Sequence, residues 1–210
     1  MNPAIGSPQD ESIEGNRLEA DDFEQMVTEY LNRIVLPPQN SGVKFILCPI
    51  GLVGSGKTTV LKPIAQRLGL ARVSGDEIRL LLKEQGFNWT RTIEIAFRVI
   101  QVLVEKGYSI AIDSDCSGPN VIETIEKMAA EHGYKVRFIH INPPEAFILN
   151  KLKNFRHTWL FKNADDALQS YYRRKPLHEN LNLDFVYTFD TSKSDLPNQI
   201  EEVIFLLRER

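Results

Sequence analysis

Apolar positions along the chain follow two alternating spacings. From about residue 43, short apolar runs alternate with longer stretches in which apolar residues recur every three or four positions. The short runs predict buried strands and the longer stretches predict helices. Strands are predicted over 43–50, 71–74, 108–113, 135–141 and 185–190, and helices over 57–68, 76–86, 91–106, 119–131, 144–153, 164–175 and 197–208. This alternation predicts an α/β fold with right-handed βαβ crossovers and a parallel sheet covered by helices on both faces.

The residues before this region have a different composition. Residues 1–19 are rich in Asp, Glu, Ser, Pro, Gly and Asn and poor in large apolar residues, which predicts a disordered acidic tail. Over 20–36, apolar residues at helical spacing, with Asp21 and Asp22 in the first turn and two prolines after the end, predict an amphipathic helix. We expect this helix to pack on one main domain over 43–210.

The segment between the first predicted strand of this domain and its first helix is GLVGSGKTTV. It matches the pattern G-x-x-x-x-G-K-[ST] in full, between a strand and a helix as that pattern requires. Glycines let backbone N–H groups wrap a polyphosphate, and the helix N-terminus adds its positive dipole end. The segment therefore predicts a P-loop that binds the phosphates of ATP through Gly51, Leu52, Val53, Gly54, Ser55, Gly56, Lys57, Thr58 and Thr59.

Two side chains of the P-loop and an acid after the third strand predict a Mg²⁺·ATP site. Lys57 would contact the β and γ phosphates, and the Thr58 hydroxyl would be a ligand of the Mg²⁺ that bridges them. The third strand ends at Asp113, and Asp115 follows. An acidic residue at this position has three possible roles: it can hold a Mg²⁺-bound water, bind the acceptor, or only cap a turn. We predict a metal role for Asp113 and leave Asp115 open between function and structure.

Two charged residues open the helix after the second strand, in VSGDEIRLLL. Asp76 and Arg79 are three positions apart and so share one helix face. Because open α/β sheets bind ligands at the carboxyl ends of their strands, this pair would lie beside the P-loop. Asp76 would accept the proton of an attacking hydroxyl and Arg79 would orient the acceptor. The alternative is a helix-start carboxylate favoured by the dipole, beside a solvated arginine.

The order of these segments resembles that of a known family. The P-loop, SGDEIR, AIDSD, GYKVRFIHINPPE and a basic helical stretch before the last strand are similar to the zeta toxin and polynucleotide kinase-like group of P-loop kinases, within the nucleoside monophosphate kinase-like fold. The resemblance covers residues 43–210. It implies a three-layer P-loop NTPase fold with a five-stranded parallel sheet in the order 2-3-1-4-5 and a helical lid. It also implies that Asp76 is the general base and that Arg79 contacts the acceptor.

The lid is expected at about 150–175, between the fourth and fifth strands. Lids of this fold carry arginines that close over the transferring phosphate. Most basic residues here are expected on a solvated face, and Arg156 and Arg173 are the predicted phosphate contacts. Trp159 and Phe161 would either cover a base or sugar, or pack within the lid.

Three functions fit this sequence. The first is an ATP-dependent kinase, a phosphotransferase acting on a hydroxyl of a small metabolite or sugar nucleotide. The second is a nucleoside monophosphate kinase or a polynucleotide 5′-hydroxyl kinase. Against it, no arginine occurs between Asp115 and Arg137, and the Gly-Phe-Pro-Arg segment of adenylate kinases is missing. The third is a nucleotide-controlled binding module, although the guanine motif Asn-Lys-x-Asp of GTPase switches is missing.

Charge and cysteine content narrow the expected partners and location. The chain has 25 Lys and Arg against 28 Asp and Glu, a net charge of -3, so any contact with nucleic acid is expected to be local. Cys48 and Cys116 lack metal-ligand spacing and are predicted to be reduced thiols. No apolar run reaches the roughly 18 residues of a membrane span, and the acidic N-terminus does not resemble a secretory signal. We expect a cytoplasmic protein whose partners are ATP and a small-molecule acceptor.

Overall fold

The computed structural model of the protein describes residues 15–38, 44–154, 160–179 and 181–209. Five parallel strands form one sheet in the order β2-β3-β1-β4-β5. The strands are β1 (Phe45–Ile50), β2 (Ala71–Ser74), β3 (Ile110–Asp113), β4 (Lys135–Ile141) and β5 (Phe185–Phe189). The helices are α1 (Ala20–Arg33), α2 (Lys57–Leu68), α3 (Gly75–Glu84), α4 (Thr92–Glu105), α5 (Pro119–Glu131), α6 (Glu145–Lys153), α7 (Ala164–His178) and α8 (Leu196–Glu209). The predicted α/β class and strand order are confirmed.

The sheet is the middle of three layers, with helices packed on each of its faces. All six residues of β1, FILCPI, are buried, as expected for a parallel strand covered on both faces. On one face, α1, α3, α4 and α5 pack in a large apolar cluster with alternate residues of the strands. On the other face, α2 and α8 pack in a second cluster. Because the strands are parallel, the chain leaves β1, β2 and β3 at one edge of the sheet, where Lys57, Asp76 and Asp113 lie.

The N-terminal part differs from its predicted boundaries. α1 ends at Arg33, before the predicted end at residue 36, because Ile34 is already extended with ψ 127°. Residues 15–19, predicted as tail, pack on the domain: Leu18 is buried, and the backbone of Asn16 pairs with Gly86 and Asn88. One isolated apolar residue gives no periodic signal, which is why the predicted tail extended too far. The remainder of that tail, residues 1–14, lies outside the described residues.

The end of α7 also differs from the prediction. The helix continues through Pro176 to His178, whereas the prediction stopped before the proline. A proline removes one backbone donor and disfavours a helical residue before it, but does not always end a helix. This additional turn carries His178 to the site described below. Arg156 and Trp159 lie outside the described residues, as do the other residues from 155 to 159.

Candidate nucleotide and acceptor site

The turn between β1 and α2 has a backbone that only glycine suits. Gly54 and Gly56 have φ of 80° and 99°, in the left-handed region. A Cβ atom on Gly51 would lie 2.7 Å from Ser55 Oγ and 2.8 Å from the carbonyl oxygen of Ile141. The fully buried Ser55 hydroxyl has no hydrogen-bond partner among the described residues. An unpaired buried hydroxyl within a glycine cradle fits a loop whose remaining partners come from a bound polyphosphate.

Lys57 bends back over this loop. Its Nζ donates to the carbonyl oxygens of Gly51 at 2.7 Å and Leu52 at 3.0 Å. Burial lowers the pKa of Lys57, and the nearby Asp115 carboxylate opposes that shift. Neutral carbonyls are weaker partners for an ammonium than an anion is. A phosphate that enters the loop would therefore compete well for Lys57.

The first residue after Lys57 contacts the end of β3. Thr58 Oγ1 donates to Asp113 Oδ1 at 2.9 Å, and Arg72 Nη1 donates to Asp113 Oδ2 at 2.6 Å. A hydroxyl beside a carboxylate is the hard oxygen environment that Mg²⁺ prefers, so these residues fit that ion. Among the described residues, no group of three or more His, Cys, Asp or Glu side chains could hold a metal by itself. A metal here would need further oxygens, which the phosphates of a nucleotide would supply.

Asp76 and Arg79 form an ion pair at the start of α3. Arg79 Nη1 lies 2.6 Å from Asp76 Oδ1, and the Asp76 side chain is 51% exposed. Ser74 caps this helix by accepting a 3.4 Å hydrogen bond from the Glu77 N–H. Ser74 pairs in register with Asp113, which places Asp76 one strand away from the Thr58 contact. The charge of Asp76 also reaches Lys57, where it opposes part of the lowering of the Lys57 pKa by burial.

Tyr30 of α1 supports the start of α3. Its hydroxyl accepts from the Ser74 N–H at 2.8 Å and donates to the Ser74 carbonyl oxygen at 3.3 Å. Burial raises the pKa of Tyr30, so the hydroxyl stays protonated and can serve as both donor and acceptor. The N-terminal helix therefore fixes the residue that precedes Gly75 and Asp76.

Several polar side chains surround Asp115, whose role the sequence analysis left open between function and structure. Its Oδ1 accepts from the Gly51 N–H at 3.2 Å, and its Oδ2 accepts from Ser117 at 2.7 Å and Arg174 at 3.1 Å. His178 Nε2 lies 3.1 Å from the same Oδ2. Burial would raise the pKa of Asp115, but the hydrogen bonds and the Lys57 charge outweigh it and hold the pKa well below its usual range. Asp115 thus joins the P-loop to α7.

This cluster changes which residues of α7 lie near the site. Arg174 contacts Asp115, whereas the predicted phosphate contact Arg173 is exposed. Adjacent arginines cannot be told apart by periodicity when their partner is 59 residues away in sequence. The signal that could have found the cluster is a second acid, two residues after the end of β3.

The α6–α7 segment packs on the tip of the P-loop. Ile148 and Leu152 of α6 and Ala167 and Tyr171 of α7 form a small buried cluster. Leu52, Val53 and Phe161 are among the partly buried residues that pack against it. A Cβ on Gly54 would lie 3.0 Å from a methyl group of Leu152. Phe161 thus belongs to internal packing, the second of its two predicted roles.

A cavity of about 250 Å³ opens beside Gly51 and Leu52, between the end of β4 and α7. Its lining includes Glu145, which accepts from Tyr171 at 3.0 Å and Lys175 at 2.8 Å. His140, half-buried, has its pKa lowered by burial and by the charge of His178. The lining also includes the apolar residues Leu52, Ile141 and Ile148, so the space beside the P-loop is mixed in character, with Glu145 and Lys175 paired to each other.

The glycine cradle, the lysine over it and the threonine bound to an acid of the neighbouring strand define a P-loop nucleotide-binding protein with helices on both faces of a parallel sheet. The model of the family described as AAA domain (AAA_33) matches residues 46–158. That match covers more than half of the chain, and the chain belongs to this family.

Solved structures share the whole fold at low sequence identity. A putative kinase from Chloroflexus aurantiacus J-10-fl is 15% identical with a TM-score of 0.60, covering 81% of this chain and 99% of that one. A sugar kinase from Janibacter sp. HTCC2649 is 18% identical with a TM-score of 0.55, covering 78% and 94%. The APS kinase CysC from Mycobacterium tuberculosis, in complex with AMPPNP and APS, is 18% identical with a TM-score of 0.53, covering 79% and 98%. These likenesses show the P-loop kinase fold.

No curated protein matches this sequence significantly. None of the helices in the described parts of the chain combines the length and the apolar character needed to cross a membrane.

Proposed function

We propose that this protein transfers the γ-phosphate of ATP to a hydroxyl of a small metabolite or sugar nucleotide. The observation that carries the proposal is the alignment of three strand ends. The P-loop follows β1, Asp113 at the end of β3 holds Thr58, and the Asp76–Arg79 pair follows β2. The groups proposed to bind the nucleotide and the acceptor therefore share the one edge where open α/β sheets bind ligands, which supports the proposal.

Each residue has a role that follows from its position. The P-loop N–H groups and Lys57 bind the β and γ phosphates and offset the charge that develops during transfer. Asp76 accepts the proton of the attacking hydroxyl, and its partner Arg79 orients the acceptor. Arg156 and Arg173 are proposed to reach the phosphates when the α6–α7 segment closes as a lid. Bound at Thr58 and Asp113, Mg²⁺ would neutralise the phosphate oxygens.

Similarity to kinases supports two parts of this proposal, the small-molecule acceptor and the role of Asp76. Shared folds with an APS kinase and a sugar kinase favour a small-molecule acceptor. The segment order similar to the zeta toxin and polynucleotide kinase-like group favours Asp76 as the base.

The test is phosphoryl transfer from γ-labelled ATP by the purified full chain to a panel of hydroxyl compounds. Lys57→Ala should abolish transfer because the β/γ charge loses its fixed counter-charge. Lys62→Ala is the matched control, since Lys62 is exposed on the same helix. Undiminished transfer by Lys57→Ala would contradict the proposal. Tight ATP binding without transfer to any compound would instead favour a nucleotide-controlled binding module.

A further inference from the structure

We infer that the acceptor is an uncharged polyhydroxy compound, such as a free sugar or polyol, and not a compound that carries a phosphate, sulfate or carboxylate. The inference rests on the proposed function and narrows its acceptor class. It comes from the ion pairs at the acceptor edge, defined here as the ends of β2 and β3 with the side chains that contact them.

The arginines that the described chain places at this edge are all paired with carboxylates. The pairs are Arg79 with Asp76 at 2.6 Å, Arg72 with Asp113 at 2.6 Å and with Glu77, and Arg174 with Asp115 at 3.1 Å. An anionic acceptor needs a cation that can turn toward it. Here each guanidinium would have to leave a carboxylate first.

Loss of the arginine partner would be unfavourable at two of these carboxylates, Asp113 and Asp115. The side chains of Asp113 and Asp115 are 2% and 7% exposed, so water cannot replace a departing arginine. Removing one partner of a buried pair leaves an uncompensated charge, which is strongly unfavourable. Arg72 and Arg174 are therefore held in place by their partners.

The charge balance at this edge also disfavours an anion. Four carboxylates face three guanidinium groups in the pairs given above, and Lys57 is committed to the P-loop. A triphosphate bound beside them would add further negative charge, which one Mg²⁺ would offset only in part. Among the described side chains of this edge, a second anion would meet like charges and no unpaired guanidinium, because the lid residues Arg156 and Arg173 are assigned to the transferred phosphate. Such an arrangement costs binding energy.

A neutral hydroxyl compound matches the same groups well. A hydroxyl both donates and accepts, and the Asp76–Arg79 pair presents an acceptor oxygen next to donor nitrogens. The Ser114 hydroxyl approaches the same point: a Cβ on Gly75 would lie 2.8 Å from Ser114 Oγ and 3.7 Å from Arg79 Nη1. Carboxylate, guanidinium and hydroxyl thus converge around Gly75, a set suited to neighbouring hydroxyls of one molecule.

The experiment compares acceptors that differ by one anionic group. Phosphoryl transfer from γ-labelled ATP is measured for ribose and ribose 5-phosphate, glucose and glucose 6-phosphate, and adenosine and adenosine 5′-phosphate. Ribose 1-phosphate and glucose 1-phosphate are added because they carry the phosphate and keep the primary hydroxyl, which separates the effect of charge from the loss of that hydroxyl. The neutral member of at least one pair should have a kcat/KM at least about tenfold higher than its anionic partner, as expected for one uncompensated charge. Its KM should also stay constant between low and high salt, because screening affects only charged acceptors.

A charge variant provides a second readout. Glu77→Gln removes the exposed partner of Arg72 and one negative charge, so kcat/KM should rise about two- to fivefold for anionic compounds and stay constant for neutral ones. Glu84→Gln, at the other end of α3 and paired with Arg33, is the matched control. Transfer confined to anionic compounds would overturn this inference and leave the proposed function intact. A wild-type protein that phosphorylates no compound would overturn both.

Discussion

At the scale of single residues, the free protein holds its charged side chains in specific contacts. Lys57 donates to backbone carbonyls of the P-loop, and Asp76 accepts from Arg79. Asp115 accepts from the P-loop backbone and from Arg174 of α7. The identities of Lys57, Asp76 and Arg79 could be predicted because local motifs mark them. The contacts of Asp115 could not, because its partners His178 and Arg174 lie 63 and 59 residues away.

Substitutions at Asp76 and Arg79 separate chemistry from stability. Asp76→Asn should lower turnover by roughly 100-fold or more because the general base is lost, with ATP affinity nearly unchanged. Arg79→Ala should raise the acceptor KM and also lower turnover, because orientation is lost. Steady-state rates and melting temperature are measured on the same preparations. A lower melting temperature with normal turnover in Asp76→Asn would mean that the carboxylate only caps the helix.

The depressed pKa of Asp115 predicts a pH-dependent stability. The ionised form is favoured in the folded state, so its contribution is present above the ordinary pKa of 3.8 and is lost as the pH falls below it. Asp115→Asn should therefore lower the free energy of unfolding by about 1–3 kcal/mol at pH 7 and by clearly less near pH 3. Urea titrations at both pH values measure the difference. Asp21→Asn, exposed on α1, is the control, and a pH-independent loss in Asp115→Asn would contradict this prediction.

At the scale of elements, each predicted helix and strand in the described chain exists, since long periodic stretches specify the element type. The bounds of α2, β2, α5 and β4 agree with the predicted ones. The errors lie where tertiary contacts override local signals. Leu18 is buried without a periodic neighbour, and α7 continues past Pro176 because its last turn packs on Asp115.

The contact between α1 and the end of β2 is tested by Tyr30→Phe. The ring keeps its packing, but the buried Ser74 N–H loses its partner, so the free energy of unfolding should fall by about 1–3 kcal/mol. Because Ser74 caps α3, turnover should fall as well. Urea denaturation and steady-state kinetics measure the two effects. Tyr172→Phe, whose ring is exposed on α7, should change neither value, and equal behaviour of the two variants would count against this support.

The α6–α7 segment should open more readily than the sheet. Its buried cluster has only four residues, so hydrogen exchange in 145–153 and 164–178 should be faster than in β1. Exchange there should slow when ATP·Mg²⁺ and acceptor bind together. Leu152→Ala should speed exchange of this segment by roughly tenfold or more and leave β1 unchanged. Leu177→Ala, half exposed on α7, is the control; equal protection in free and bound protein would contradict a lid.

At the scale of the whole molecule, the parallel sheet brings distant segments to one edge. The strand order was predicted from the similarity between the order of the sequence segments and that of a known kinase group, because a single sequence gives no information on strand pairing. The packing of α6 and α7 on the P-loop depends on Leu52 and Val53, two residues that the motif pattern leaves unspecified. Motifs therefore marked the candidate residues, whereas the contacts that connect them became visible only in three dimensions.

Nucleotide binding should stabilise the entire domain, because the P-loop lies between both apolar clusters. ATP·Mg²⁺ at about 100 times its Kd adds roughly 2.7 kcal/mol, which raises the Tm by about 5–10 °C for a chain of this size. Lys57→Ala should lose most of this shift, and Lys62→Ala should keep it. Differential scanning fluorimetry measures both, and an equal shift in Lys57→Ala would show that the nucleotide binds elsewhere.

The contacts of Asp115 have a consequence for the resting protein. This carboxylate accepts from the Gly51 N–H and from Arg174, and it is close enough to Lys57 for their charges to interact. The free enzyme thus carries an internal counter-anion that keeps its cationic groups ordered. Because these side chains are already ordered in the folded protein, ligand binding has a smaller entropic cost.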